Sequence, residues 1–508
     1  MPRVTPSVPM RACLLGGFCA ALFLCVNFRK YATDVAPIGL MPVTVLRGGA
    51  LNMDGYRPYY DGLNPGQRYM FVEANGHLYP MKPFAISLLA VPFYAPPVLC
   101  GVPTLDTGFW IGWGRLLTAL LTGASVGMSY AAGRRWGSER AALVCALLLG
   151  LGTCYWTTVG QVLNYHVGGV LCVSMLVLLI DRLPLSPKRV AFVGFLAGAA
   201  VGMRPTTVVL LLPLGLYLLL PGRISGWKAY VAALVGVAVV PALNAWWNVE
   251  LFGSWSATGY SPEEMDKWST PFAEGFAGQL IAPNSGLFVQ SPFLMLAVVG
   301  AVIVWRSSTL AGRGLLRAYS LCFLGYLMLF ARWHDWQGGL TPASRMLCEG
   351  YPLLLPLIVV GWEAVAQGGT SLLSRLCGRG AGGEGICERR PSPQPSPAKP
   401  GEGAEPVARR PRGAWLLGAM AVWSIGWQLQ GIAIFDDVVE LDPPNDPWRI
   451  EKHFLIVYLR NFGSAAALLA LGKTVGMFLL IAATAFMLLT RGLRISLGKT
   501  FPSAGASR

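Results

Sequence analysis

Apolar stretches close to the length of a bilayer crossing recur along this chain, separated by short polar breaks. A hydrocarbon core about 30 Å thick takes roughly 20 mostly apolar helical residues to cross. Runs of this kind lie at 11–28, 107–132, 139–158, 163–180, 190–203, 206–220, 227–247, 288–305, 316–331, 346–363, 414–433 and 473–490. They predict an all-α polytopic membrane protein with about twelve transmembrane helices, eleven to thirteen at the limits. Its first extracytoplasmic loop, 29–83, is long and is expected to carry juxtamembrane helices. The first run follows a short basic tail but shows no small-residue cleavage site. Asn27, Arg29 and Lys30 follow it directly, so it reads as a retained anchor.

Two stretches leave the count open. The run 190–220 is too long for one crossing and short for two. Arg204 and Pro205 divide it, and a proline interrupts a helix. Lys188, Arg189, Arg223 and Lys228 flank its two ends, which favours a hairpin of two short spans. The run 84–101 carries Pro92, Pro96 and Pro97. It reads as a juxtamembrane or re-entrant helix, which is tolerated at membrane depth only under protein or beside a wet cavity.

Composition agrees with this reading. The chain is 54% hydrophobic and 13% charged, with a mean hydropathy of +0.52. Soluble domains average about 25% charged residues, and disordered chains need low hydrophobicity, so both classes are excluded. The net charge of +15 suggests a nucleic-acid partner until the charges are placed. The predicted cytoplasmic segments then hold 25 of the 40 basic residues but 7 of the 25 acidic ones. That is a positive-inside pattern, and no nucleic-acid partner is expected. The expected location is a bacterial-type inner (plasma) membrane with both termini cytoplasmic. The 11 cysteines sit mostly in apolar runs and form no CxxC pair, which argues against a disulfide framework or a thiolate metal site. Residues 364–413 include "PSPQPSPAKPGEGAEP" and cannot build a packed core. The predicted organisation is therefore a transmembrane module over 1–363, a disordered cytoplasmic linker over 364–413, and terminal helices with a basic tail over 414–508.

The polar chemistry collects on the outer side, where all four histidines fall (His77, His166, His334, His453). Asp54 sits in the Gly-rich stretch "GGALNMDGY" and reads either as a base or as a turn aspartate before Gly55. Lys82 opens an apolar run. It can meet a lipid phosphate or snorkel to the interface. Arg345 can fork onto a phosphate or pair with Glu349 four residues later. Trp333 and Trp336 suit a membrane interface or a sugar face, and Gly338 and Gly339 let backbone approach a ligand. His77, His166, Asp335 and Glu349 complete the candidate pocket. No metal-ligand spacing, Walker loop, nucleophile elbow or dinucleotide fingerprint is present.

Three stretches carry a resemblance: "GGALNMDGY" with "NGHLYPMKPFAISLLAVPFY", then "APNSGLFVQSPFLMLAVVG", then "WHDWQGGLTPASRMLCEGYPLLLP". Over residues 11 to about 363 the chain resembles membrane glycosyltransferases of the GT-C superfamily, the polyprenyl-phosphate-sugar-dependent mannosyltransferases and aminoarabinose transferases. The resemblance implies inverting transfer of a sugar from a polyprenyl-phosphate carrier, in the membrane lipid, to a glycan, lipid or protein acceptor on the outer face. It implies that Asp54 is the catalytic acidic residue; the positive charge a departing phosphate needs is expected from Lys82 and Arg345. Many members carry two acids close together. Here the next acid after Asp54 is Asp61, so a divalent cation is allowed but not required. Two other classes stay open on sequence: a transporter or flippase of lipid-linked saccharide, and a non-catalytic assembly protein. Transporters show ionisable residues at mid-membrane and related halves; most spans here lack such charges and no repeat is found.

The charge placement makes a topological prediction. A single cysteine at position 392, in a cysteine-free background, should resist an impermeant thiol reagent in intact cells, whereas one at position 64 should react. Labelling at 392 would invert the later half of the chain.

Overall fold

The apolar runs become helices in the computed structural model of the chain. The structure describes residues 7–25, 35–49, 51–180, 184–224, 226–255, 266–339, 341, 344–366, 413–439, 447–449, 453, 455–466, 468–470, 472 and 475–476. Most of the linker 364–413 and of the last run 473–490 lies outside the described residues. In chain order the helices are α1 (Val8–Cys25), α2 (Ala36–Gly48), α3 (Arg57–Asp61), α4 (Ala85–Leu99), α5 (Thr107–Gly133), α6 (Glu139–Leu151), α7 (Tyr165–Leu179), α8 (Pro187–Met203), α9 (Thr207–Leu218) and α10 (Trp227–Phe252). There follow α11 (Phe272–Ile281), α12 (Leu287–Gln290), α13 (Met295–Arg306), α14 (Arg313–Phe330), α15 (Tyr351–Ala366) and α16 (Ala414–Val439).

Four helical segments among the described residues are long and apolar enough to cross a bilayer: Thr107–Gly133, Trp227–Phe252, Cys348–Ala366 and Ala414–Ile434. Shorter apolar helices accompany them. Many outward-facing side chains are large and apolar, such as Leu212, Leu216, Leu234, Val235 and Trp246. A water-solvated monomer rarely exposes contiguous apolar surface of this kind; lipid is the solvent that suits it. The chain is a largely helical, membrane-embedded protein.

Local chemistry sets the helix ends. Ser138 and Asn164 cap α6 and α7 by accepting from the amides of Ala141 and Val167. Pro187 occupies the first turn of α8. The run 190–220 divides at Arg204, which is extended (φ −148°, ψ 107°), as the residue before a proline must be. Leu185 donates to the Arg223 carbonyl at 3.0 Å, so the two arms, α8 and α9, return to one place as a hairpin does. The run 139–158 is less regular than predicted. Its helix α6 stops at Leu151, and a π-helical turn covers Tyr155–Val159. The run 288–305 begins as short turns around Pro292, leaving α13 with 12 residues.

Small residues let the helices approach. Gly194, Gly198 and Gly202 recur every four residues along α8 and face Ala233, Val237 and Val240 of α10. Between apolar helices in lipid, close van der Waals contact replaces the hydrophobic drive, and glycine permits it. The same device joins α1 to α5 (Gly16 with Gly123) and α13 to α15 (Gly300 and Gly361).

The segment between α1 and α4 departs from the all-α expectation. Beside the buried α2 it contains an antiparallel β-hairpin, β1 (Phe71–Ala74) and β2 (His77–Pro80), with Glu73 opposite Leu78 and Ala74 opposite His77. Asn75 and Gly76 turn it at φ 52° and 79°. Asn-Gly is the pair best suited to two consecutive positive-φ positions, which is why a hairpin forms where helices were expected.

A methyl group on Gly198 would stand 2.8 Å from the Val237 carbonyl carbon, whereas one on Gly215 of α9 meets nothing within 4 Å. Gly198→Val should therefore lower detergent-unfolding stability by about 1–3 kcal/mol, and Gly215→Ala should be neutral or stabilising by up to about 1 kcal/mol. Equal effects would show that α8 and α10 do not meet through this stripe.

Candidate functional site

The segment between α2 and α4 presents the first part of the site. Asp54 starts a short 3-10 turn beside the free edge of β2. Leu78 is the residue it meets: the Met53 amide donates to the Leu78 carbonyl at 2.6 Å, and the Leu78 amide donates to Asp54 Oδ1 at 2.8 Å. The aspartate side chain thus takes the place of a strand carbonyl. Its other oxygen, Oδ2, lies 2.5 Å from His77 Nδ1. Partial burial works against the charge, but the His77 ring and the Leu78 amide, with Arg57 nearby, outweigh it and hold Asp54 below the usual carboxylate range. The side chains of Asp54 and His77 are 33% and 50% exposed, so this pair is open to solvent. Arg57 pins the hairpin by pairing with Glu73 at 3.0 Å and donating to the Gly76 carbonyl.

The hairpin is docked onto the C-terminal end of α10. Asn75 donates to the Glu250 carbonyl at 3.2 Å, and Tyr79 and Phe84 meet Trp247 edge-on at 5.6 and 5.2 Å.

A second part is buried where several helix ends converge. Glu349, in the turn entering α15, and His166, in the first turn of α7, are 0% and 1% exposed. His166 Nδ1 lies 2.7 Å from Glu349 Oε1. Arg204, at the break between α8 and α9, donates to Glu349 Oε2 at 2.7 Å, to the Met346 carbonyl at 2.9 Å and to Tyr326 Oη at 3.0 Å. The Tyr326 hydroxyl in turn donates to Glu349 Oε2 at 3.2 Å. The Arg204 guanidinium lies 4.6 Å from the Phe330 ring centroid. One carboxylate therefore collects an imidazole, a guanidinium and a phenol from three separate helical segments. Gly169, one turn beyond His166, makes room: a Cβ there would meet Glu349 Cγ at 2.8 Å. His166 Nε2 is buried without a hydrogen-bond partner among the described residues.

Lys82, just past the β-hairpin, reaches this cluster. Its ammonium lies 5.9 Å from the centroid of the Tyr165 ring, and the Arg204 guanidinium lies 5.9 Å from the same ring. Two cations thus share one aromatic residue.

The loop 332–345 forms the third part. Gly338 and Gly339 both have positive φ (97° and 69°). Asp335 is near Arg345, and burial raises its carboxyl despite the opposing pull of Arg345 and the Gly339 amide. Trp336 is buried with its ring over Gly278 of α11, so protein covers it. Trp333 packs between Trp268 (4.9 Å) and His334 (4.7 Å).

Of the residues singled out from sequence, Asp54 joins His77, His166 joins Glu349, and Asp335 lies beside Arg345. Glu349 takes its charge partner from Arg204, 145 positions away in sequence. Arg204 and Tyr326 were not among the sequence candidates. A signal did exist for Arg204: an arginine before proline in the middle of an apolar run. Tyr326 carries none, being one aromatic among many in an apolar helix.

The side chains of His166, Cys348 and Glu349 offer ligand atoms within 4.8 Å of one another, the geometry of a small metal site. The donor set does not fit a dication, because the Arg204 guanidinium already neutralises Glu349 and lies 3.5 Å from His166 Nδ1. At Asp54 both carboxylate oxygens are engaged by protein.

No family model, no curated protein and no solved structure matches this chain.

Breaking a buried ion pair leaves an uncompensated charge, at a cost of about 3–5 kcal/mol. Glu349→Gln should lower unfolding stability in detergent by that amount. The double variant Glu349→Leu/Arg204→Met should recover much of the loss, since an apolar pair needs no compensation. Additive losses in the double variant would show that the two residues act separately.

Proposed function

We propose that this protein is an integral-membrane glycosyltransferase that moves a sugar from a polyprenyl-phosphate carrier to an acceptor on the outer face, with inversion. The observation that carries the reading is the arrangement around the first outer loop. One continuous segment bears an ordered, anionic carboxylate–imidazole pair, Asp54 and His77, and five residues past His77 a lysine whose ammonium lies over Tyr165, the ring it shares with Arg204 of the buried cluster. A sugar–phosphate donor needs both: a group that accepts the acceptor's proton, and positive charge where the phosphate departs. Lys82, with Arg345 from the loop 332–345, supplies the charge that faces the leaving phosphate. The carboxylate at Asp54 is the group on which proton removal depends. Apolar helices around the site suit a donor with a long isoprenoid tail.

In this reading about twelve helices cross the membrane, both termini are cytoplasmic and the site faces out. His166, Arg204 and Glu349 then lie at helix ends on the outer side, away from the mid-membrane depth where transporters hold their ionisable groups.

Protein reconstituted with a panel of polyprenyl-phosphate monosaccharides should release or transfer sugar from at least one of them. Asp54→Asn should cut that rate by about 100- to 10,000-fold while expression and donor binding persist. Lys82→Ala should weaken donor binding, and Arg345→Lys should impair transfer because it keeps the charge but loses the planar fork. Movement of donor across the bilayer without any sugar release would point to transport. Near-normal transfer by Asp54→Asn would remove the carboxylate from the mechanism.

A further inference from the structure

Asp54 has little basicity left to offer through its own oxygens. Oδ1 accepts the Leu78 amide at 2.8 Å, closing the edge of β2, and Oδ2 faces His77 Nδ1 at 2.5 Å. A carboxylate held by two donors is a poor proton acceptor, because each hydrogen bond stabilises its charged form. The imidazole is placed differently. Its Nδ1 faces an anionic oxygen, and only an N–H can sit there without repulsion. The neutral ring is therefore the Nδ1–H tautomer, and its lone pair is on Nε2. Nε2 makes no hydrogen bond among the described residues, and the His77 side chain is half exposed at the outer surface. The other contact of the ring is edge-on with Tyr79, at 6.4 Å.

We infer that His77 is the proton acceptor of the transfer reaction, through Nε2, and that Asp54 is the residue that orients it. This deepens the transferase reading and rests on it. The acceptor hydroxyl gives its proton to His77 Nε2 as its oxygen bonds to the anomeric carbon. The bond from that carbon to the donor phosphate oxygen breaks, and its electron pair leaves with the polyprenyl phosphate. The imidazolium so formed is stabilised by Asp54 through Nδ1–H, and its Nε2 proton passes to solvent. The arrangement uses the same logic by which a carboxylate fixes the tautomer of a catalytic imidazole elsewhere. The hairpin is the device that sets it: His77 follows the Asn75–Gly76 turn and stands one residue before Leu78, whose amide fixes the other carboxylate oxygen.

Two conservative variants separate a base from a mere support. Asn places an amide N–H where imidazole Nδ1 stood, so His77→Asn keeps the hydrogen bond to Asp54 and loses Nε2. His77→Ala loses both. The assay is sugar release from the active member of the polyprenyl-phosphate monosaccharide panel. If His77 is the base, His77→Asn should fall by about 100-fold or more, as far as His77→Ala does. Added imidazole should restore at least tenfold of the His77→Ala loss. Activity of His77→Asn within threefold of wild type would overturn the inference and leave His77 as a positioning residue. Absence of imidazole rescue in a folded, donor-binding His77→Ala would also overturn it. Carbethoxylation of His77 by diethylpyrocarbonate, read by mass spectrometry, reports on the Nε2 lone pair without turnover, and it should slow in Asp54→Asn. A wild type that releases no sugar from any donor, yet is modified at His77 in this Asp54-dependent way, would overturn the transferase reading and not the chemistry of the pair.

Discussion

A carboxylate sealed among helices has to be compensated, and the compensation of Glu349 organises this structure. Its two oxygens are taken by His166, Arg204 and Tyr326, which come from the start of α7, the break between α8 and α9, and the body of α14. Neither the Glu349 carboxylate nor the Arg204 guanidinium is tolerable alone in an apolar interior, since burying an unpaired ion costs several kcal/mol. Together the three partners hold three helical segments against the entry to α15. The proline after Arg204 forces the helix to open there, and the opening delivers the guanidinium to the carboxylate. A kink that would only weaken a helix elsewhere becomes the means of placing a charge.

The β-hairpin and the segment that follows it depend on the same frame through two routes. Lys82 and Arg204 share the Tyr165 ring, so the segment leaving the β-hairpin is anchored over the buried cluster. The hairpin tip is fixed to the end of α10 by Asn75 and by the aromatic contacts of Trp247. Helix α10 is in turn zipped to α8 by the glycine stripe that ends just before Arg204. The exposed Asp54–His77 pair and the buried Glu349 cluster are thus tied to one helix pair. A loop held against a helical bundle keeps a fixed position only through such ties.

Two carboxylates with opposite surroundings divide the work. Glu349 is buried and spent on structure. Asp54 is one-third exposed, and its charge is held by a backbone amide and an imidazole. Asp335 differs from both: burial raises it, and it stands by Arg345 in a loop that two positive-φ glycines bend. These differences come from position in the fold, since the three side chains are chemically near-equivalent.

By itself the sequence determined the solvent and the class. Long apolar runs and a low charge content demand lipid, and prolines and glycines mark where helices must open or turn. The hairpin was not foreseen: the stretch 29–83 was expected to carry juxtamembrane helices, although Asn75–Gly76 suits two consecutive positive φ angles. Tertiary structure alone decided the partnerships. Arg345 and Glu349 are near neighbours in sequence, yet Glu349 pairs with Arg204, 145 positions away, and with His166, 183 positions away. Asp54 and His77 likewise meet only because β2 offers its free edge to the turn that carries the aspartate. Spacing along one helix or strand can be counted in residues. Convergence of separate helix ends depends on how every intervening segment packs, and no local pattern encodes it.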